Sequence, residues 1–246
     1  MTPVVFVHGF MGGSAQWAGQ LDAFGGAPVV ALDLPGFGDN AHLDALATIE
    51  DYAEWSLEDL SARGVSDFHL IGHSMGGMVA QEMAARAPNR IQRLVLYGTG
   101  AQGVLPGRFE SIETSKERAK KDGAQATARR IAATWFLDQE QATAYDACAA
   151  IAERSSIAAI MTGLEAMNLW DGRAKVPDLG HDTLIVWGDG DRTYPWSQTE
   201  FLWTSIARSH LAVIPNSAHA PHMERPGLFN ALVGEFVTGS VMNATV

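Results

Sequence analysis

Six short apolar runs, each stopped by Gly, Pro or Asp and separated by longer amphipathic stretches, confine this chain to a narrow class of architectures. They cover residues 4–7, 29–32, 68–71, 94–97, 184–187 and 211–214. Continuous apolar character over so few residues, without polar alternation, marks strands covered on both faces, as in parallel sheets. Parallel neighbours need crossovers, and the intervening stretches supply them. Residues 49–63 place Tyr52, Trp55, Leu57 and Leu60 on one helical face, and the Ala-rich run 78–86 stops before Pro88. The expected class is α/β: a mostly parallel sheet with helices on both faces.

One interval breaks the alternation. Residues 101–176 contain no convincing strand, and 111–171 read as several amphipathic helices. The clearest spans 126–136, with Ile131, Trp135 and Phe136 on one face. Too long for a plain crossover, the interval reads as a helical lid inserted into a core made of residues 1–100 and 177–246. The last residues, 239–246, read as a fraying tail.

Composition removes several function classes. The 17 Lys+Arg against 28 Asp+Glu give a formal charge of −11, which repels phosphate backbones and anionic lipid. Cys148 is the only cysteine, so neither an internal disulfide nor a Cys-based zinc site can form. No apolar run approaches a membrane span, and no signal peptide is recognisable at the N-terminus. A cytoplasmic enzyme or binding domain fits, with a small molecule as partner and neither nucleic acid nor membrane.

The chemistry concentrates at three strand ends. After the third strand, Gly72-His73-Ser74-Met75-Gly76-Gly77 has the Gly-x-Ser-x-Gly pattern of a nucleophile elbow, a tight turn that lifts the serine hydroxyl above the sheet at a helix N-terminus. A serine hydroxyl needs a base, and in such elbows the partners follow in the order Ser, acid, His. The fifth strand runs into Asp189 and Asp191. The sixth runs into His219 and His222, with Glu224 close behind. Both loops fall where an acid and a base are required.

Over nearly its whole length the chain resembles the α/β-hydrolase fold superfamily. Ala218-His219 and Glu224-Arg225-Pro226 match the family's Gly-His-x-x-x-x-Glu-x-Pro, with Ala for the first Gly, and this alignment selects His219. Trp187-Gly188, Asp191 and Pro195 match Trp-Gly-x-x-Asp-x-x-x-Pro and select Asp191. His8-Gly9-Phe10 resembles the family's oxyanion loop, which implies that Phe10 and Met75 supply the oxyanion-holding N–H groups. Asp33-Leu34-Pro35-Gly36-Phe37-Gly38 matches a signature read as structural. Most relatives carry a β-hairpin before the His-Gly strand, whereas this sequence starts almost at that strand.

The resemblance implies a serine esterase of the carboxylesterase and 3-oxoadipate enol-lactonase kind, needing no cofactor and no metal. Ser74 is the nucleophile, His219 the base and Asp191 its orienting acid, with an ester or lactone bound under the lid. His73, Trp135, Met161 and Trp170 are the candidate substrate contacts. Carbon–carbon bond hydrolases and cofactor-free perhydrolases share this triad. Two rivals belong to other classes: a non-catalytic receptor of the same fold, and a metal-dependent hydrolase using His219, His222 and Glu224.

Overall fold

The computed structural model describes residues 1–24, 26–104 and 110–239. Along the chain run β1 (Val4–Val7), α1 (Ala18–Ala23), β2 (Val29–Ala31), α2 (Ile49–Ala62), β3 (Phe68–His73), α3 (Met75–Arg86) and β4 (Ile91–Tyr97). Four helices follow without a strand: α4 (Ile112–Asp122), α5 (Ala124–Ala133), α6 (Tyr145–Ala152) and α7 (Ile157–Leu169). The chain then returns through β5 (Asp182–Gly188), α8 (Trp196–Ser205), β6 (Ser209–Ile214), α9 (Pro221–Glu224) and α10 (Pro226–Thr238). The strands form one sheet in the order β2-β1-β3-β4-β5-β6, and every neighbouring pair is parallel.

All six expected strands are present. Two of them depart from the expectation of full cover: β2 is half-buried throughout, and β6 leaves Val213 44% exposed. Both are edge strands, so no second neighbour shields them. The four inner strands are almost wholly buried. Alternate residues on them feed two cores. Val5, Val7, Leu70, Leu94 and Leu96 pack beneath α2, α3 and the helical insert. Val4, Phe6, Ile71, Val95 and Val186 meet Trp17, Phe24, Phe229 and Val233 on the opposite face.

The insert leaves the sheet after β4 and re-enters at β5. Its two ends are drawn together by an antiparallel bridge between Gln102 and Asp171 and by the bond from Gly172 N to Ala101 O (2.8 Å). The helix expected over 126–136 begins at Ala124 and ends at Ala133, so Trp135 and Phe136 lie in the turn beyond it. Beyond Ala133 the N–H groups of Thr134, Trp135 and Phe136 bond three residues back, to Ile131, Ala132 and Ala133, so the helix tightens and ends; the outgoing carbonyls of Trp135 and Phe136 then accept from Ala220 N–H (3.1 Å) and Arg192 Nη2 (2.6 Å). Of the expected tail, residues 240–246 lie outside the described residues. Among the described residues no single helix is long and apolar enough to cross a membrane.

Helix α3 sits directly against the sheet because Gly76 has no side chain. A Cβ there would fall 2.2 Å from Val7 O and 2.4 Å from His8 O, both main-chain atoms that cannot swing aside. On the opposite face, the buried ring of His222 lies against Trp17 (4.8 Å), Tyr97 (5.5 Å) and Phe229 (6.0 Å). Neither ring nitrogen has a hydrogen-bond partner among the described residues. Burial, helped by nearby His219, pushes the His222 pKa down to about 3.

Two outcomes follow. Gly76→Ala forces α3 off the sheet and is expected to cost about 2–3 kcal/mol in urea unfolding. The depressed His222 pKa sets a pH dependence with a definite sign. Below the ordinary value of 6.5, the unfolded chain protonates this histidine and the folded chain does not, so its contribution to stability is lost as pH falls from 6.5 toward 3. His222→Leu should remove up to about 1.4 kcal/mol per pH unit from the slope of stability against pH, measured between pH 6 and 4.

Candidate active site

Ser74 stands between β3 and α3 with φ 54° and ψ −119°, a left-handed conformation that a residue with a Cβ adopts only under constraint. The constraint is visible on both sides of the residue. Its N–H donates to Tyr97 O (3.1 Å), and its carbonyl accepts from Thr99 Oγ1 (2.8 Å) and from the Gly77 N–H (2.9 Å). Such strain costs about 1–3 kcal/mol and persists only where the surroundings over-determine it. The turn leaves the side chain of Ser74 at the N-terminus of α3, where the helix dipole favours developing negative charge.

The loop after β5 carries Asp191, and the loop after β6 carries His219. The two loops touch closely: a Cβ on Gly188 would fall 2.1 Å from Ala218 O. His219 Nδ1 lies 2.9 Å from Asp191 Oδ2, and both side chains are buried. Asp191 Oδ1 accepts from the N–H groups of Thr193 (2.7 Å) and Tyr194 (3.1 Å), so the carboxylate cannot rotate away from the imidazole. The Tyr194 ring stacks on His219 at 5.5 Å and 12°. Asp189 is exposed, and among the described residues its side chain reaches only the Ser217 N–H, at 3.4 Å.

Ser74 and His219 line one cavity of about 30 Å3. Phe10 also borders it from the sheet side, Ile131, Thr134, Trp135 and Met167 from the insert, and Thr193 and Tyr194 from the Asp191 loop. Of the four expected substrate contacts, only Trp135 lies on the cavity wall. Met161 is half-buried against the core cluster that the insert shares with the sheet, and Trp170 is spent on Glu82, its Nε1 donating to Oε1 at 2.8 Å. His73 is buried behind the nucleophile, where its Nε2 bonds to His219 O (2.9 Å) and its ring stacks on Tyr97 (4.5 Å). None of these three lines the cavity at Ser74.

Among the described residues, the N–H groups of Phe10 and Met75 have no main-chain or side-chain acceptor. His8 shapes the loop that carries Phe10. Its Nδ1 lies 2.7 Å from Gly9 O, and its Nε2 accepts from Leu34 N (3.0 Å). One nitrogen thus donates and the other accepts, which is the neutral ring; burial lowers the pKa in the same sense. Glu224, a ligand in the metal-site alternative, has both oxygens committed, Oε1 to Leu137 N (2.8 Å) and Oε2 to Ala218 N (2.6 Å). Among the described residues no group of three or more His, Cys, Asp or Glu side chains could hold a metal ion.

The structure also gives places to residues the sequence did not single out. Tyr194 supports the His219 ring, Thr99 holds the elbow carbonyl, and Arg192 fastens the insert. Two that the sequence did point to gain a place as well: Met167, an apolar residue of the insert read as a pocket candidate, walls the cavity, and Glu224 of the His219 motif fastens the insert. The first three act through contacts between segments far apart in the chain.

Residues 2–226 match the model of the alpha/beta hydrolase fold family. A putative carbamate hydrolase RutD of Agrobacterium fabrum is 25% identical over 241 residues, covering 95% of this chain and 92% of that protein. The pimeloyl-[acyl-carrier protein] methyl ester esterase of Aromatoleum aromaticum is 28% identical over 251 residues, with 96% and 98% covered. Among solved structures, the enol-lactonase of Burkholderia xenovorans LB400 superposes with a TM-score of 0.88 at 23% identity, over 96% of this chain and 91% of that one. A thermophilic esterase of Thermogutta terrifontis gives 0.87 at 24%, over 99% and 91%. With the elbow after β3, the Asp191 and His219 loops after β5 and β6, and a family match over most of its length, the chain belongs to the alpha/beta hydrolase fold family.

Proposed function

We propose that this hydrolase-family protein is a serine esterase that cleaves a small to medium carboxylic ester through an acyl-enzyme on Ser74. The observation that carries the reading is the convergence of Ser74 and the Asp191–His219 pair on one cavity under the helical insert. His219 takes the Ser74 proton as the oxygen attacks the acyl carbon, while Asp191 holds the imidazole tautomer and stabilises the imidazolium. The N–H groups of Phe10 and Met75 meet the developing oxyanion. His219 then protonates the leaving alcohol and activates the water that releases the acid.

Residues 101–176 act as a lid in this reading. Trp135 presents an apolar wall to the acyl chain, and Ile131 and Met167 complete it. A cavity of about 30 Å3 holds little more than water, so the lid must move to admit more than a short acyl group. A lactone offers the same acyl carbon to Ser74 and is the second reading. The likeness to an enol-lactonase structure, at 23% identity, supports the fold it would need.

Steady-state hydrolysis of p-nitrophenyl acetate, butyrate and octanoate tests the proposal. The rate should fall with chain length and be unchanged by EDTA. Ser74→Ala should lower kcat by at least about 10⁴-fold, and the Ser74→Ala/His219→Ala double variant should be no slower than either single one, because the residues act as a unit. Undiminished turnover by Ser74→Ala would overturn the serine mechanism.

A further inference from the structure

The N–H of Met75 and the carbonyl of Ser74 belong to one peptide plane, so whatever grips the carbonyl also aims the N–H. Thr99 grips it from behind. Its Oγ1 donates to Ser74 O at 2.8 Å, and the N–H groups of Gly77 (2.9 Å) and Met78 (3.3 Å) donate to the same oxygen. Thr99 is buried just past the end of β4, two residues after Tyr97, whose carbonyl takes the Ser74 N–H at 3.1 Å. The peptides before and after Ser74 are thus both held from one short segment, residues 97–99.

The contact is built into the fold. A Cβ on Gly77 would fall 2.6 Å from Cβ, Cγ2 and Oγ1 of Thr99, so the bare backbone at Gly77 is what lets Thr99 reach the carbonyl. The other candidate oxyanion donor is held in the same manner. The Phe10 N–H shares its peptide with Gly9 O, which takes one side-chain donor, His8 Nδ1 (2.7 Å), and one main-chain donor, the Gly12 N–H (3.0 Å). Two peptides from distant parts of the chain therefore carry one arrangement. In each, a buried side chain bonds the carbonyl, and the N–H has no acceptor among the described residues.

A hydrogen bond to a peptide carbonyl acts on the N–H across the plane in two ways. It fixes the direction in which the N–H points, because the plane resists twisting. It also draws electron density toward oxygen and makes the N–H a stronger donor, by about 10–30% per bond. The Gly77 and Met78 bonds are those that any helix makes to the carbonyl at its start. Thr99 adds a bond that no helix supplies.

We propose that Thr99 is a positioning residue for the oxyanion hole: through the Ser74 carbonyl it aims and strengthens the Met75 N–H that meets the oxygen of the attacked acyl group. This rests on the esterase reading above for the reaction, but the effect on the peptide can be measured without turnover. Thr99 itself undergoes no covalent change.

The test uses the full chain with Thr99→Val, which has nearly the same shape but no hydroxyl, and Thr99→Ser, which keeps one. Two substrates are compared, p-nitrophenyl acetate and its thiono analogue, in which C=S replaces the acyl C=O and sulfur is a weak acceptor. Thr99→Val should lower kcat/KM on the ester by about tenfold, part of the roughly 10²–10³ that a whole donor supplies, and on the thionoester by about twofold or less. The ester-to-thionoester ratio should therefore fall by about fivefold and recover in Thr99→Ser. A displaced nucleophile or a loosened fold slows both substrates alike and leaves the ratio where it was. In 15N–1H correlation spectra the Met75 amide should move upfield in Thr99→Val, while the Phe10 amide stays in place. An unchanged ratio, or a Met75 amide that does not move, overturns the inference and leaves the esterase reading intact. A ratio that falls in Thr99→Val without recovering in Thr99→Ser assigns the effect to the side-chain methyl group and likewise overturns it. Turnover of neither substrate by the folded wild type, with the Met75 amide shifted in Thr99→Val, keeps the grip of Thr99 on the donor peptide and overturns the esterase reading instead.

Discussion

The contact between Gly76 and the main chain of β1 sets the geometry of everything above the sheet. With Val7 O and His8 O occupying the space a side chain would need, α3 comes down onto the strands and the chain between β3 and α3 is left one residue in which to reverse. That residue is Ser74, and its positive φ follows from the closeness of helix to sheet. Holding it there takes bonds from both neighbours, Tyr97 O and Thr99 Oγ1, which lie at the end of β4 and just beyond it. The strained serine is therefore stabilised by the interior of the sheet, which is the least deformable part of the molecule.

The insert is coupled to the same place by a different set of interactions. Trp135 O, Phe136 O and the Leu137 N–H are held by Ala220 N–H, Arg192 and Glu224, from the loops that carry His219 and Asp191 and from the short α9 that follows His219. Glu224 binds Leu137 with one oxygen and Ala218 with the other, so a single carboxylate fixes the insert and the residue beside His219. Burial raises the Glu224 pKa, with the bonds from Leu137 and Ala218 opposing it. Any movement of the insert that widens the cavity near Trp135 must therefore act against bonds anchored in the loops of the Asp191–His219 pair.

The sequence was most informative where structure is local. The six apolar runs became six strands, and the elbow and the two later loops could be read because each is a few consecutive residues bounded by Gly or Pro. What could not be read depends on contacts between distant segments. The helix expected through Phe136 stops at Ala133, where the following N–H groups turn to carbonyls three residues back, and the Trp135 and Phe136 carbonyls are free to bind partners more than fifty residues away. Trp170 and Met161 share an apolar pattern with Trp135, yet Trp170 turns to Glu82 on α3 and Met161 does not line the cavity. Periodicity states that a side chain is buried but not which cavity it faces.

The surroundings of His219 bear on how one histidine among several can act as the base. His8, His73 and His222 are all buried, and for each burial is the leading cause that depresses the pKa. His8 is neutral by its own hydrogen bonds, with one nitrogen donating and the other accepting. His73 uses Nε2 on the carbonyl of His219, and its Nδ1 is unpartnered among the described residues. A charge on any of these rings would oppose a charge on His219, whose ring lies 4.7 Å from that of His73. Of these four rings, His219 alone has a carboxylate at hydrogen-bond distance among the described residues, Asp191 at 2.9 Å. The apolar stack of Trp17, Tyr97 and Phe229 that keeps His222 neutral thus also protects the electrostatic asymmetry that the proposed proton transfer at Ser74 would use. In this arrangement the second core is more than packing beneath the sheet. It keeps competing positive charge out of the one place where the proposed reaction needs it to form.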